Sequence, residues 1–457
     1  MSKQIKVLVP SGSMGTGVSE AAFDRGLRES PDVIATDAGS TDSGPHYLGT
    51  GEPKCSIAVL KSELRMLMTA RAKLDIPLIV GSCGTSGSDY GVDVMRQLCE
   101  EVAAELKEPV RVACIYSELS HDEVKKALRE DRIRPLQPEI SLDEAVIDRC
   151  SHIVGVMGIE PFLHALDEGA DIILAGRATD TAVMAAFPIR QGAALGASWH
   201  AGKILECGAQ CTTNPSSKVV MATVDDTGFL LQAMGEGVGA TPQSVMAHML
   251  YENSNPNLLI EPGGALDVEN ATYTAIDGRT VRVEGSIWTP TDKYTVKLEG
   301  AAPAGYQAVS MCMIRDPEYL ARFDEWLARF DTVMRASIAK RLELKDDQYD
   351  LQFRAIGKNS ILGELESKVG TPAEIGVMAI VTSPDQTRTR EIIALLSPHM
   401  LHFPLLNAEK VATHAFPLSP ASLDRGVVYE FVLNHVMAVA DPLAPFRFSF
   451  STYGVAA

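Results

Sequence analysis

Short apolar runs closed by small residues alternate, through the first half of the chain, with longer stretches that are apolar at every third or fourth position. Ile5-Lys6-Val7-Leu8-Val9-Pro10 predicts a strand, Ser11 to Gly17 a loop, and residues 18–29 a helix. Ile34 and its neighbours predict a second strand. Leu60, Leu64, Leu67 and Met68 place a helix over 56–75. Pro77-Leu78-Ile79-Val80, the loop Gly81 to Gly87 and a helix over 91–106 follow, then a fourth strand, Val110 to Tyr116. Helices are expected at 121–129 and 143–149. The segment His152 to Glu168 reads as helical, interrupted at Gly158-Ile159-Glu160-Pro161. A fifth strand, Asp171 to Ala175, leads through Gly176-Arg177-Ala178-Thr179-Asp180 into another helix. Alternating buried strands and amphipathic helices imply an α/β fold with a doubly wound, mostly parallel sheet, in which ligands bind at the carboxyl edge of the strands.

The texture changes after about residue 253. Asn270 to Lys297 is rich in Thr, Val, Tyr and Trp, and Ile276-Asp277-Gly278-Arg279 is a hairpin turn between alternating runs. Helices at 317–342 and 386–397, with strands at 349–356 and 376–383, predict a second, smaller α+β domain; the tail carries one apolar segment, Val427 to Ala440. The expected division is 1–253, an α/β ligand-binding domain with glycine-rich strand-end loops, and 254–457, completing the site or an oligomer interface. A length of 457 residues agrees with two domains.

Composition narrows the function. A chain 46% hydrophobic and 22% charged builds a sizeable core, and no apolar run reaches the roughly 18 residues that cross a bilayer. A cytoplasmic protein without membrane contact is expected. The net charge of −18 argues against nucleic acid, which needs a dense basic surface. It leaves room for a small anion held by one local arginine or a helix N-terminus. The eight cysteines form no C-x-x-C pair and read as reduced thiols. A homo-oligomer is the base expectation for a cytosolic metabolic enzyme.

Candidate chemistry gathers at the loops that close the strands. Asp37-Ala38-Gly39-Ser40-Thr41-Asp42-Ser43-Gly44-Pro45 combines two carboxylates, small hydroxyls and permissive glycines at the end of a buried strand. It reads as the floor of a site, or as an Asx/Ser-rich turn leaving a sheet. Asp37 or Asp42 is the candidate general acid or base; Ser40, Thr41 and His46 are candidate substrate contacts. The loop Gly12-x-x-Gly15-x-Gly17 is neither G-x-G-x-x-G nor a phosphate loop ending in Gly-Lys, so no nicotinamide or flavin fingerprint is present. It remains a candidate anion cradle through Ser11, Ser13 and Gly15, against the alternative of a connecting turn. The third loop offers Ser82, Cys83 and Gly84, with its backbone as an oxyanion holder. Cys83 has no histidine in motif and reads better as a buried thiol.

Arg177 at a strand end suits a carboxylate clamp, or an ion pair with Asp180 that caps its own helix. Lys203 and Glu206 lie one turn apart: a surface pair by default, a proton-transfer pair if buried. Lys297, within the strand-like Tyr294 to Gly300, is an electrostatic or acid–base candidate or an exposed edge lysine. Glu206 and Lys297 complete the candidate catalytic set. No H-x-x-x-H, H-E-x-x-H or D-x-D-x-D run marks a metal site, although Mg²⁺ shared by Asp37, Asp42 and Glu206 is a geometric option.

Several of these segments, taken together, resemble the acyclic terpene utilisation protein A family, in a shorter branch. They are Val-Ile-Ala-x-Asp-Ala-Gly-Ser-Thr-Asp-x-Gly-Pro-x-Tyr-Leu-Gly (33–49), Ile-Leu-Ala-Gly-Arg-Ala-x-Asp (173–180) and Gly-Lys-Ile-Leu-Glu-Cys-Gly-Ala (202–209). Tyr-Thr-Val-Lys-Leu-Glu-Gly-Ala (294–301), Ile-Arg-Asp-Pro (314–317) and residues 424–436 agree in the same order. The first loop departs from the Gly-Ser-Gly-Ala-Gly type of the terpene proteins. The resemblance implies a catabolic setting, the breakdown of branched acyclic terpenoids through acyl-CoA and carboxylate intermediates, and supplies no catalytic residue list. The expectation is a lyase, hydratase or isomerase acting on a small carboxylic acid or its CoA thioester. The alternatives are a non-catalytic acyl-CoA- or carboxylate-binding subunit and a metal-assisted hydrolase.

Overall fold

The computed structural model of the chain describes residues 4–367, 370 and 372–454. It divides into two compact units, Met1–Ala302 with Phe431–Ala457, and Pro303–Glu430.

The larger unit is built on a ten-stranded sheet. Its centre runs Ile5–Val9, Val33–Asp37, Leu78–Gly81, Ile172–Ala175, Val110–Tyr116, and every pairing along that stretch is parallel. These strands are buried on both faces, which is why their sequences are near-continuous apolar runs rather than alternating ones. Leu8, Ile34, Leu78, Val80 and Leu174 pack against helices Glu20–Arg28, Ile57–Leu74 and Asp89–Leu106. Their alternates Val7, Val9, Val33, Ile79 and Ile173 pack against helices Glu160–Asp167, Asp180–Arg190 and Leu195–Leu205.

Both flanks depart from expectation. Val220–Val224, Gly228–Ala233 and the hairpin Thr272–Ala275/Thr280–Glu284 extend one side antiparallel, and Arg447–Tyr453 closes the other antiparallel. The sheet is therefore mixed, not mostly parallel. On the first flank, the hairpins Val220–Val224/Gly228–Ala233 and Thr272–Ala275/Thr280–Glu284 need no crossover helix and so add antiparallel strands, whereas Arg447–Tyr453 returns from the far end of the chain. The same hairpin explains why residue 253 lies inside the larger unit, the division falling instead at 302/303 and 430/431. The expected turn at Ile276–Arg279 is present, but it finishes the first sheet. His152–Val156 is a strand, not the start of a helix; it pairs with Lys297–Ala301. Its Ile-Val-Gly-Val run suits either state by composition, and cross-strand pairing decides.

In the smaller unit, Tyr306–Ile314 pairs antiparallel with Ile375–Ser383, which pairs with Asp350–Ile356. Helices Phe323–Arg341 and Gln386–His402 bury Trp326, Phe330 and Ile392 against this sheet. Among the described residues, no helix is long and apolar enough to cross a membrane.

Candidate functional site

A cavity of about 600 Å³ opens at the carboxyl ends of the parallel strands in the larger unit. Ser11, Gly12, Ser13 and Thr16 enter from the loop after the first strand, and Gly39, Ser40, Asp42 and Ser43 from the loop after the second. Thr85 follows the third strand, and Asp180 follows Ile172–Ala175. The far wall carries Cys207, Gln210, Tyr251 and Glu252, with Lys54 and Lys218 supplying positive charge. Thus Ser11, Ser13, Ser40, Asp42 and Asp180, all singled out in the sequence, border one hollow. Two walls meet tightly: a Cβ at Gly12 would lie 2.4 Å from the carbonyl carbon of Cys207.

Asp37 lies behind this wall, not on it. The side chain is buried, and its Oδ2 accepts the N–H of Gly39 at 2.7 Å, a contact the φ of +111° at Gly39 permits. Its Oδ1 has no hydrogen-bond partner. Burial, then the neighbouring Asp180 charge, pushes its carboxyl well above the usual range against the pull of Arg177.

Asp180 faces the cavity, and Arg177 Nη1 lies 3.2 Å from its Oδ1. Burial raises this carboxyl too, Arg177 opposing.

Arg177 does not hang free as a clamp for substrate. Its Nε donates to Glu299 Oε2 at 3.0 Å, and Nη1 donates to Ala178 O at 2.9 Å and Ser82 Oγ at 3.2 Å. It organises the chain's own carboxylates. Glu299, which sequence reasoning passed over, also accepts from Thr41 Oγ1 at 2.9 Å and Lys297 Nζ at 2.8 Å. Burial disfavours its charge, yet Arg177 and Lys297 hold it down at about 2. Thr41 and Lys297 are therefore committed to Glu299 and do not line the cavity. The one available signal was alternation: Lys297 and Glu299 share a face of an apolar strand.

The glycine-loop expectations change in the same way. The anion cradle exists, and Glu63 fills it: the N–H groups of Gly15 and Gly17 each donate to one of its oxygens at 2.6 Å. Gly15 thus has no N–H left for a ligand. In the third loop, Ser82 N–H goes to Gly176 O, Cys83 N–H to Ala175 O and Thr85 N–H to Ser82 O, so these three N–H groups are not left for an oxyanion. Cys83 is wholly buried, burial pushes its thiol well up, and it does not border the cavity. Gly84 packs against Gly91, where a Cβ would lie 2.7 Å from Cα. Neither it nor Ser82 borders the cavity. His46 is exposed at the start of the helix His46–Thr50, its ring edge-on to Tyr47, outside the lining.

Lys203 and Glu206 are buried, contrary to the surface default, and their charged groups touch. Lys203 Nζ also donates to Tyr251 O at 3.0 Å, and Glu206 Oε2 accepts from Thr181 Oγ1 at 3.1 Å. Burial carries Glu206 up to about 8, Lys203 opposing. His248 Nε2 stands 3.9 Å from Glu206 Oε1. Burial, helped by Lys203, takes His248 down to about 4, so this approach is not an ion pair at neutral pH. Asp37, Asp42 and Glu206 do not converge on a shared Mg²⁺. Among the described residues the group whose ligand atoms converge is Glu206, Cys207 and His248.

A family model described as acyclic terpene utilisation family protein AtuA matches residues 59–405. The chain belongs to this family. The match to AtuA covers Glu63, Arg177, Asp180, Glu206, His248 and Glu299, while the segments 33–49 and 424–436 lie outside it. No curated protein and no solved structure matches the chain.

Proposed function

We propose that the chain is an enzyme of small-molecule breakdown that moves a proton on a carboxylic acid or its CoA thioester, with Asp180 as the transferring group. One observation carries this reading. Asp180 stands at the cavity wall, gripped by Arg177, with a second carboxyl, Asp37, buried behind it and one oxygen of that carboxyl left without a partner. Burial pushes both carboxyls up, and two neighbouring acids resist ionising together, which favours a proton held between them for transfer, as a general acid–base requires. Lys54 and Lys218 set positive charge beside the lining carboxylates Asp42, Asp180 and Glu252, and Ser13 offers a hydroxyl to an anion's oxygens, whereas the hydroxyl of Ser40 donates to Asp42 Oδ2 at 2.6 Å and that of Thr85 to Ala38 O at 3.1 Å. The family name points to branched acyclic acids of terpenoid breakdown as the first compounds to try. Hydration or dehydration, carbon–carbon cleavage and isomerisation all begin with such a transfer.

Incubation in D₂O with a panel of branched acids and their CoA esters tests the proposal directly. The expected result is deuterium at the carbon next to the carbonyl, or a new product, with wild-type protein. Asp180→Asn should lower the rate by about a hundredfold or more. A ligand that raises the melting temperature yet gains no deuterium and yields no product would favour a binding subunit instead.

A further inference from the structure

Glu206 follows the last residue of helix Leu195–Leu205, Cys207 follows Glu206, and His248 opens the short helix His248–Leu250. One carboxylate oxygen, the thiol sulfur and one ring nitrogen of these residues all lie within 4.8 Å of one another. The His248 ring is buried, and its Nε2 faces this group without a hydrogen-bond partner. An orphaned buried imidazole nitrogen is costly unless something fills its lone pair. We propose that Glu206, Cys207 and His248 form a binding site for a thiophilic divalent metal, of which Zn²⁺ is the natural occupant.

The donor set selects the metal. Magnesium and calcium take oxygen ligands, whereas imidazole with thiolate suits zinc. Ligands on a tetrahedral zinc sit about 3.3–3.6 Å apart, given bonds of about 2.0 Å to N and O and 2.3 Å to S. The 3.9 Å between Glu206 Oε1 and His248 Nε2 therefore needs only a small contraction. On binding, the metal takes the carboxylate oxygen from Lys203, which keeps its bond to Tyr251 O. Cys207 gives its proton to solvent as the sulfur becomes a thiolate ligand. Three protein ligands leave a fourth position, and Cys207 lines the cavity, so that position opens toward the ligand space. This inference stands apart from the proton-transfer reading, because the metal is detected with no substrate present.

Full-length protein stripped with chelator and titrated with Co²⁺ alone provides the test. The expected result is one equivalent bound, with tetrahedral visible bands and a thiolate-to-cobalt charge-transfer band in the near ultraviolet, all displaced by Zn²⁺. Cys207→Ser should abolish the charge-transfer band. Partners behind metal ligands are themselves worth about 10–100-fold, so His248→Gln should weaken Co²⁺ affinity by about a hundredfold or more. Circular dichroism of the metal-free variants checks that each folds; if Cys207→Ser does not, His248→Gln carries the test. No stoichiometric Co²⁺ spectrum in wild type, or a charge-transfer band that survives Cys207→Ser, would overturn the site.

Discussion

Glu261 is a buried carboxylate with its Oε2 unpartnered, and replacing it by glutamine should stabilise the fold in a pH-dependent way. Burial lifts Glu261 from an ordinary value of 4.5 to about 7, with Thr179 and Thr181 opposing and Asp180 adding. The folded value lies above the unfolded one. Wild-type stability is therefore fully present below about pH 4.5 and is lost as the pH rises toward about 7. At about 1.4 kcal/mol per tenfold change in proton affinity, the full loss is about 3 kcal/mol. Glutamine has the shape of the protonated acid and never ionises. Glu261→Gln should exceed wild type by about 3 kcal/mol at pH 8 and by under about 1 kcal/mol at pH 5. Urea titrations of both proteins at the two pH values measure this. A difference that ignores pH, or a variant weaker than wild type at pH 8, would refute the electrostatic account of the site.

Arg177→Met removes the partner of Glu299 and Asp180 and leaves buried carboxylates alone, which should cost about 3–5 kcal/mol in urea unfolding, with Arg177→Met/Glu299→Gln recovering part of the loss; a cost below about 1 kcal/mol would remove Arg177 from its organising role. Glu63→Gln keeps one acceptor for the Gly15 and Gly17 N–H groups and sets an amide donor against the other, so about 1.5–3 kcal/mol should be lost on the same assay, and an unchanged midpoint would contradict the cradle.

The central strands were legible because burial on both faces writes continuous apolar runs into the sequence, and the helices because one face of each is apolar. Antiparallel flanks carry no comparable mark, since strand direction leaves no trace in composition. The strand-end loops bordering the cavity could be read from small residues following each run. The partners of those loops could not. Arg177 and Glu299 are 122 residues apart, and Gly17 and Glu63 are 46 apart, separations that no spacing rule connects. Consequently residues named as ligand contacts, Thr41, Gly15 and Arg177 among them, turn out to be held by the protein itself. His248 gave no signal at all, because its chemistry arises only where a distant loop meets the end of a helix.

Glu63 in the grip of Gly15 and Gly17 has a kinetic consequence. A loop already latched by its own side chain has surrendered its conformational freedom during folding, so a visiting molecule does not have to freeze it. Entry should then resemble docking into a finished mould, its speed set by diffusion and by attraction to Lys54 and Lys218 rather than by waiting for the first loop to find its shape.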